Sequence, residues 1–177
     1  MLDMEINYNL ENLKEWMKEE PRDTPMLVGP GSSSIIREPL GIVGCIGSWN
    51  YPLVTGLSGF ISAMAAGNCV LFKPSEMTPF TSMICKRLFA RYLDTSAYSC
   101  VVGQIEVAKR ITSSKGVNLI IFTGSGQTGR LVAASAAQNL TPCILELGGK
   151  CPAIVDSSAD IEFAAMKIAF FSYLNSG

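Results

Sequence analysis

The sequence predicts an α/β fold built on a doubly wound, parallel sheet, and two observations carry that reading. From about residue 41 onward, short apolar runs alternate with longer amphipathic ones, the pattern of parallel strands joined by crossover helices. In addition, the run Val117 to Phe122 passes into Thr123-Gly124-Ser125-Gly126-Gln127-Thr128-Gly129. A glycine-rich turn of this form joins a strand to the helix that follows it.

The elements follow in order. Residues from about Asn9 to Glu20 read as a surface helix with Leu10, Leu13 and Trp16-Met17 on one face, stopped by Pro21. Met26 to Ser34 is a Gly/Pro/Ser linker, and Ile35-Ile36-Arg37 a short strand. Gly41 to Gly47 is an apolar strand, and Pro52 to Ala66 a helix that gathers Leu53, Leu57, Phe60, Ile61 and Met64. Cys69 to Lys73 is the next strand. Thr78-Pro79 then marks an N-cap with proline at the first helical position, opening a helix to about Tyr92. Ser99–Val102, Val117–Thr123, Pro142–Leu147 and Ala153-Ile154-Val155 are read as strands. Ile105–Ser113, Gln127–Asn139 and Ile161 to about Leu174 are read as helices. No internal repeat is evident.

Composition narrows the function classes. Hydrophobic residues are 48% and charged residues 16% of 177, enough for a packed core and unlike a disordered chain. A net charge of -1 argues against nucleic acid or an anionic membrane as the main partner. With no histidine, the commonest general base, the commonest metal ligand and any Ser/His triad are excluded. Six cysteines without a CxxC pair read as reduced thiols in a reducing compartment, taken as the cytoplasm, and no zinc site is expected. Cys69, Cys143 and Cys151 are read as packing residues. Pro39 to Phe72 carries no charge and could pass for a membrane span, but Asn50, Pro52, Asn68 and the glycines divide it into strand, turn and helix.

Three places carry chemistry. The backbone N–H groups that open the helix after Gly124 are unpaired and positively polarised, suited to a pyrophosphate; a plain strand–helix turn is the bland alternative. Glu146 admits two readings. An acid about twenty positions beyond such a loop is a ribose ligand in the dinucleotide fingerprint. A carboxylate between Leu145 and Leu147 is also expected to lose solvent, which favours a proton-accepting general base. Asn50, between a buried strand and a helix, could cap that helix or present its NH2 to a reacting carbonyl oxygen.

From about Glu38 to Gly177 the sequence resembles the NAD(P)-dependent aldehyde dehydrogenases. The resemblance rests on Glu38-Pro39-Leu40-Gly41, Trp49-Asn50-Tyr51-Pro52, Lys73-Pro74-Ser75-Glu76, Phe122-Thr123-Gly124-Ser125, Leu145-Glu146-Leu147-Gly148-Gly149-Lys150 and Asn175-Ser176-Gly177, in the family's order. Leu140-Thr141-Pro142 and Asn50-Tyr51-Pro52 look most like the class 3 or fatty-aldehyde branch. The resemblance implies a Rossmann-like NAD-binding domain over residues 38–147, after an N-terminal helix and linker or oligomerisation strand (1–37). Residues 148–177 would begin a second α/β catalytic domain.

It further implies that Asn50 stabilises the oxyanion and that Glu146 is the general base. Trp49, Lys73, Ser75, Glu76, Gly124, Ser125, Gly129, Leu147 and Gly148 would contact the cofactor. The ribose acid is then Glu76, and its bare carboxylate disfavours a 2′-phosphate, so NAD is expected over NADP, with NADP left open. The implied substrates are medium- or long-chain aliphatic or aromatic aldehydes, and the full-length protein is expected to be a homo-oligomer. The family runs on from Asn-x-Gly into Gln-x-Cys, which places the nucleophilic cysteine beyond Gly177 and leaves the 177 residues inactive alone. The alternative is a short, catalytically inactive binding or assembly subunit.

Overall fold

A computed structural model describes residues 1–174, which fall into two compact units, Met1–Leu147 and the described residues from Gly148 onward. The first opens with helix α1 (Leu2–Trp16) and a two-stranded antiparallel ribbon of β1 (Glu20–Arg22) and β2 (Ser33–Ile35), in which Pro21 faces Ser34. Helix α1 therefore begins well before the expected Asn9. Its N-cap is Met1, whose side chain makes no capping bond, so no cap residue marks the start in the sequence. Asp3 and Glu5 stabilise the first turn through the helix dipole. Proline is tolerated in β1 because a two-stranded ribbon is all edge. Glu20, expected to be helical, instead pairs with Arg22 and, at 2.7 Å, with Arg37.

The core is a five-stranded parallel sheet in the order β5-β4-β3-β6-β7. Its strands are β3 (Ile42–Ile46), β4 (Cys69–Lys73), β5 (Tyr98–Cys100), β6 (Leu119–Gly124) and β7 (Cys143–Leu147). The crossover helices are α2 (Val54–Ala65), α3 (Pro79–Tyr92), α4 (Ile105–Thr112) and α5 (Gly126–Ala137). Both faces of the sheet are covered, as a parallel sheet requires. Val43, Cys45, Val70 and Phe72 pack with Phe60, Ala63, Cys85 and Phe89 on one side. On the other, Ile46, Ile120 and Phe122 pack with Ile111, Val132 and Ala136. The uncharged stretch 39–72 is thus β3, α2 and β4, and among the described residues no helix is long and apolar enough to cross a membrane.

In the second unit, Asp160 caps helix α6 (Ile161–Tyr173) by accepting from the Phe163 N–H at 3.0 Å. The strand expected at Ala153–Val155 is absent, because strand backbone needs a ladder partner and none pairs with it among the described residues. Asn175-Ser176-Gly177 lies outside the described residues. The expected burial of three cysteines is also corrected. Cys69 and Cys151 are exposed and Cys143 is half-buried. Cys69 and Cys143 are the first residues of their strands, at the rim of the sheet where helix cover ends. The Cys151 φ of 47° belongs to a turn, not to a strand start.

Candidate active site

Parallel strands all end on the same side, so the loops after them share one edge of the sheet. Here β3 is the first strand of the sheet; β4 and β5 extend it in one direction, β6 and β7 in the other. The winding reverses between β3 and β6, and a crevice opens at the carboxyl ends of strands where the order reverses. The registers place the predicted site residues along that edge. Ile46 is level with both Lys73 and Phe122, Thr123 with Glu146, and Gly124 with Leu147.

The loop from β3 to α2 carries Trp49 and Asn50. Trp49 is 59% exposed and Asn50 is exposed, followed by Tyr51 at a φ of 50°, which costs a non-glycine residue backbone strain. Asn50 does not cap α2. The N-cap is Leu53, with no side-chain capping bond. The Asn50 Oδ1 instead accepts from the Ser48 hydroxyl at 2.8 Å. Thr55 ties this loop to its neighbour, because its carbonyl accepts from the Thr123 hydroxyl at 3.3 Å. The sequence reading missed Ser48, Thr55 and Thr123. Hydroxyls two residues before and five after Asn50 are the signal that was there to be found.

At the end of β4, Lys73 is only 2% exposed, and its ammonium donates to the Glu76 carboxylate. This is not the solvated connection that charged loop residues usually form. Burial by itself would raise the Glu76 carboxyl, but the hydrogen bond from Lys73, a backbone N–H and the Lys73 charge outweigh it. The carboxyl is held below its ordinary value, charged at neutral pH. Ser75 is buried; its hydroxyl accepts from the Met77 N–H at 3.2 Å, and its carbonyl accepts from the Ser82 hydroxyl at 2.9 Å.

The loop from β6 to α5 has the form expected of an anion site. Ser125 is the N-cap, accepting from the Thr128 N–H at 3.2 Å, so the first N–H groups of α5 remain for a ligand. A Cβ at Gly126, the first helical position, would meet only the Arg130 side chain, at an ordinary 3.9 Å. At Gly129 a Cβ would stand 2.7 Å from the Leu147 side chain, so glycine here permits close packing of α5 on β7.

Glu146 is level with Thr123 on the edge strand β7 but is exposed, as is Leu147 at 43%. The expected desolvation by flanking leucines is therefore corrected. Neighbours in a strand point to opposite faces, so Leu145 and Leu147 cannot bury the residue between them. Gly148 belongs to the second unit.

The cysteines of the first unit offer no nucleophile to this edge. Burial pushes the Cys45 thiol up to about 12 and, with Cys85 nearby, the Cys100 thiol to about 12 as well; Cys85 and Cys143 are also raised by burial. Cys69 and Cys143 begin their strands and so lie at the opposite end of the sheet from Asn50. An apolar groove of about 610 Å³ lined by α1, α2 and α3 residues such as Leu10, Leu57, Phe60 and Leu88 includes none of the predicted site residues.

Comparison with known proteins identifies the relatives of this chain. The chain is 43% identical over 169 residues to an aldehyde dehydrogenase of Craterostigma plantagineum, covering 95% of this chain and 35% of that protein. It is 41% identical to aldehyde dehydrogenase family 3 member B1 of Bos taurus, covering 98% and 37%. Among solved structures, a substrate-bound Staphylococcus aureus AldH superposes with a TM-score of 0.92 at 37% identity, covering 98% of this chain and 38% of that one. A Mycobacterium tuberculosis aldehyde dehydrogenase complexed with NAD+ superposes at 0.77 and 36% identity, covering 90% and 32%. The chain thus spans about a third of the length of these relatives. The family profile described as "Aldehyde dehydrogenase family" matches residues 3–177, and the chain belongs to that family.

Proposed function

We propose that this segment is the cofactor-binding part of an NAD-dependent aldehyde dehydrogenase and supplies the oxyanion donor and the general base. One observation carries the reading: Asn50, the Lys73–Glu76 pair, the Gly124 loop and Glu146 all lie at the carboxyl edge of one sheet, around its reversal point. In this reading the domains are 1–37, 38–147 and 148–177.

The residues present fit NAD. The pyrophosphate would rest on the free N–H groups that open α5, with Gly126 leaving room and Gly129 holding the helix against β7. Glu76, charged at neutral pH, would accept the ribose hydroxyls and repel a 2′-phosphate, which favours NAD over NADP. Trp49, Lys73, Ser75, Gly124, Ser125, Leu147 and Gly148 are assigned to the same cofactor surface. When bound, NAD accepts the hydride of the aldehyde carbon.

A thiolate is the nucleophile of this chemistry, because a neutral thiol attacks poorly. None of the first unit's cysteines is suited to it, and the family resemblance assigns the thiolate to the stretch that follows the Asn-x-Gly motif. The Asn50 NH2 would donate to the oxygen as it gains charge. Glu146 would then take a proton from water as that water attacks the thioester, releasing the acid. Exposure of Glu146 at the sheet edge suits contact with water. The substrates are proposed to be medium- or long-chain aliphatic or aromatic aldehydes, as the resemblance to the class 3 branch implies. A homo-oligomeric, cytoplasmic protein is proposed with them, the latter on the six free cysteines. A donor left free at Asn50 argues against the inactive-subunit alternative.

Rapid mixing of the enzyme that carries this segment tests the roles. Asn50→Ala should slow the first-turnover NADH burst by about 10²–10³-fold. Glu146→Gln should leave the burst and slow the steady state that follows. An unchanged burst in Asn50→Ala, or a burst lost in Glu146→Gln, would overturn the assignment.

A further inference from the structure

We infer that Ser48 is a positioning residue that fixes which end of the Asn50 carboxamide faces the reacting carbonyl. The inference rests on the oxyanion role proposed for Asn50 and deepens it. The Ser48 hydroxyl lies 2.8 Å from Asn50 Oδ1 and 3.0 Å from Thr55 Oγ1. The Thr55 hydroxyl in turn reaches the Tyr51 carbonyl at 3.2 Å and the Asn50 carbonyl at 3.3 Å.

Proton counting sets the directions. Each hydroxyl has one proton, and carbonyl and carboxamide oxygens only accept. The Thr55 proton goes to Ser48 Oγ at 3.0 Å, a shorter contact than those to the backbone carbonyls of the turn. The Ser48 proton goes to Asn50 Oδ1, its shortest contact.

The consequence is an oriented amide. With its oxygen occupied from below, the carboxamide turns its nitrogen away from the Ser48–Thr55 pair. Among the described residues Nδ2 donates to nothing. A carboxamide that rotates freely would present oxygen to a growing negative charge half the time, which repels it. The turn is also braced from the neighbouring strand, through the Thr123 hydroxyl on the Thr55 carbonyl. Ser48 is half-buried, so it holds this geometry at the rim and not in the core.

Ser48→Ala, Ser48→Thr and Asn50→Ala in the enzyme that carries this segment test the inference, with the NADH burst and nitrogen NMR of the Asn50 NH2 group as readouts. Ser48→Ala should lower the burst rate about tenfold at unchanged aldehyde KM, since a misaimed donor costs rate and not binding. The Asn50 NH2 pair, assigned by its absence in Asn50→Ala, should shift and broaden as the bond to Oδ1 is lost. Ser48→Thr, which keeps the hydroxyl, should restore both.

If Ser48→Ala matches the parent in rate and in the Asn50 signals, the positioning role is wrong. If Asn50→Ala is slow while Ser48→Ala is not, the oxyanion reading stands and the Ser48 inference falls. If Asn50→Ala keeps the parent rate, the oxyanion reading itself falls and takes the catalytic role of Ser48 with it.

Discussion

Glu76→Gln should destabilise the first unit in a pH-dependent way. Lys73 is 2% exposed, and its ammonium is neutralised by the Glu76 carboxylate. Glutamine keeps the size of the partner but removes its charge, leaving a buried ammonium uncompensated. Breaking a fully enclosed ion pair from one side costs about 3–5 kcal/mol, whereas an exposed pair contributes about 0.2–1 kcal/mol. Here one end is enclosed and the other, Glu76, is 37% exposed, so water screens the pair from that side. A loss of about 1–3 kcal/mol follows from that intermediate placement. With a urea slope of about 2 kcal/mol/M, the unfolding midpoint should drop by roughly 0.5–1.5 M.

The pH dependence has a definite sign. The folded Glu76 carboxyl lies below its ordinary value of 4.5, so its contribution is complete above that value and is lost as pH falls through the lower, folded one. The gap between parent and Glu76→Gln in urea unfolding should therefore be widest near neutral pH and close in acid. Adding Lys73→Met to Glu76→Gln removes the orphaned charge and should recover part of the loss. Equal midpoints at pH 7, or a gap that does not narrow in acid, would refute the reasoning.

Other predictions follow from the same packing. Gly56→Ala would place a Cβ 2.5 Å from the ring of Phe72, which is fully buried and stacked on Phe89. Overpacking of about 1–3 kcal/mol should exceed the gain of roughly 0.5–1 kcal/mol that alanine gives a helix, so thermal unfolding should fall and not rise. Among the cysteines, Cys45 and Cys100, raised to about 12 by burial, should resist iodoacetamide at pH 8 under native conditions. Mass mapping should find exposed Cys69 and Cys151 alkylated first. Replacing Ser125 by alanine removes the cap on the Thr128 N–H and should cost about 1 kcal/mol in urea unfolding.

Much of this fold could be read from local punctuation. Strand β4 and helix α3 have the bounds expected of them, because Thr78-Pro79 announces the helix and the apolar run from Cys69 ends at a charged residue. The order of loop motifs likewise places Asn50, Lys73, Gly124 and Glu146 at strand ends. What could not be read was non-local. The start of α1 has no capping side chain, and β1 exists only because β2 pairs with it. Glu146 is exposed because β7 lies at the sheet edge, a property of strand order and not of its leucine neighbours. The hydroxyls flanking Asn50 are visible in the sequence, but the left-handed Tyr51 in the same turn is signalled by no residue type.

Amide chemical-shift mapping during NAD titration of the isotope-labelled protein tests the central claim most directly, and it registers weak binding as well as tight. The account predicts shifts gathered at Ser48–Tyr51, Lys73–Glu76 and Thr123–Thr128, along the carboxyl edge around the reversal between β3 and β6. Shifts gathered instead at the opposite edge, near Cys69 and Cys143, or no shifts at any NAD concentration, would contradict it.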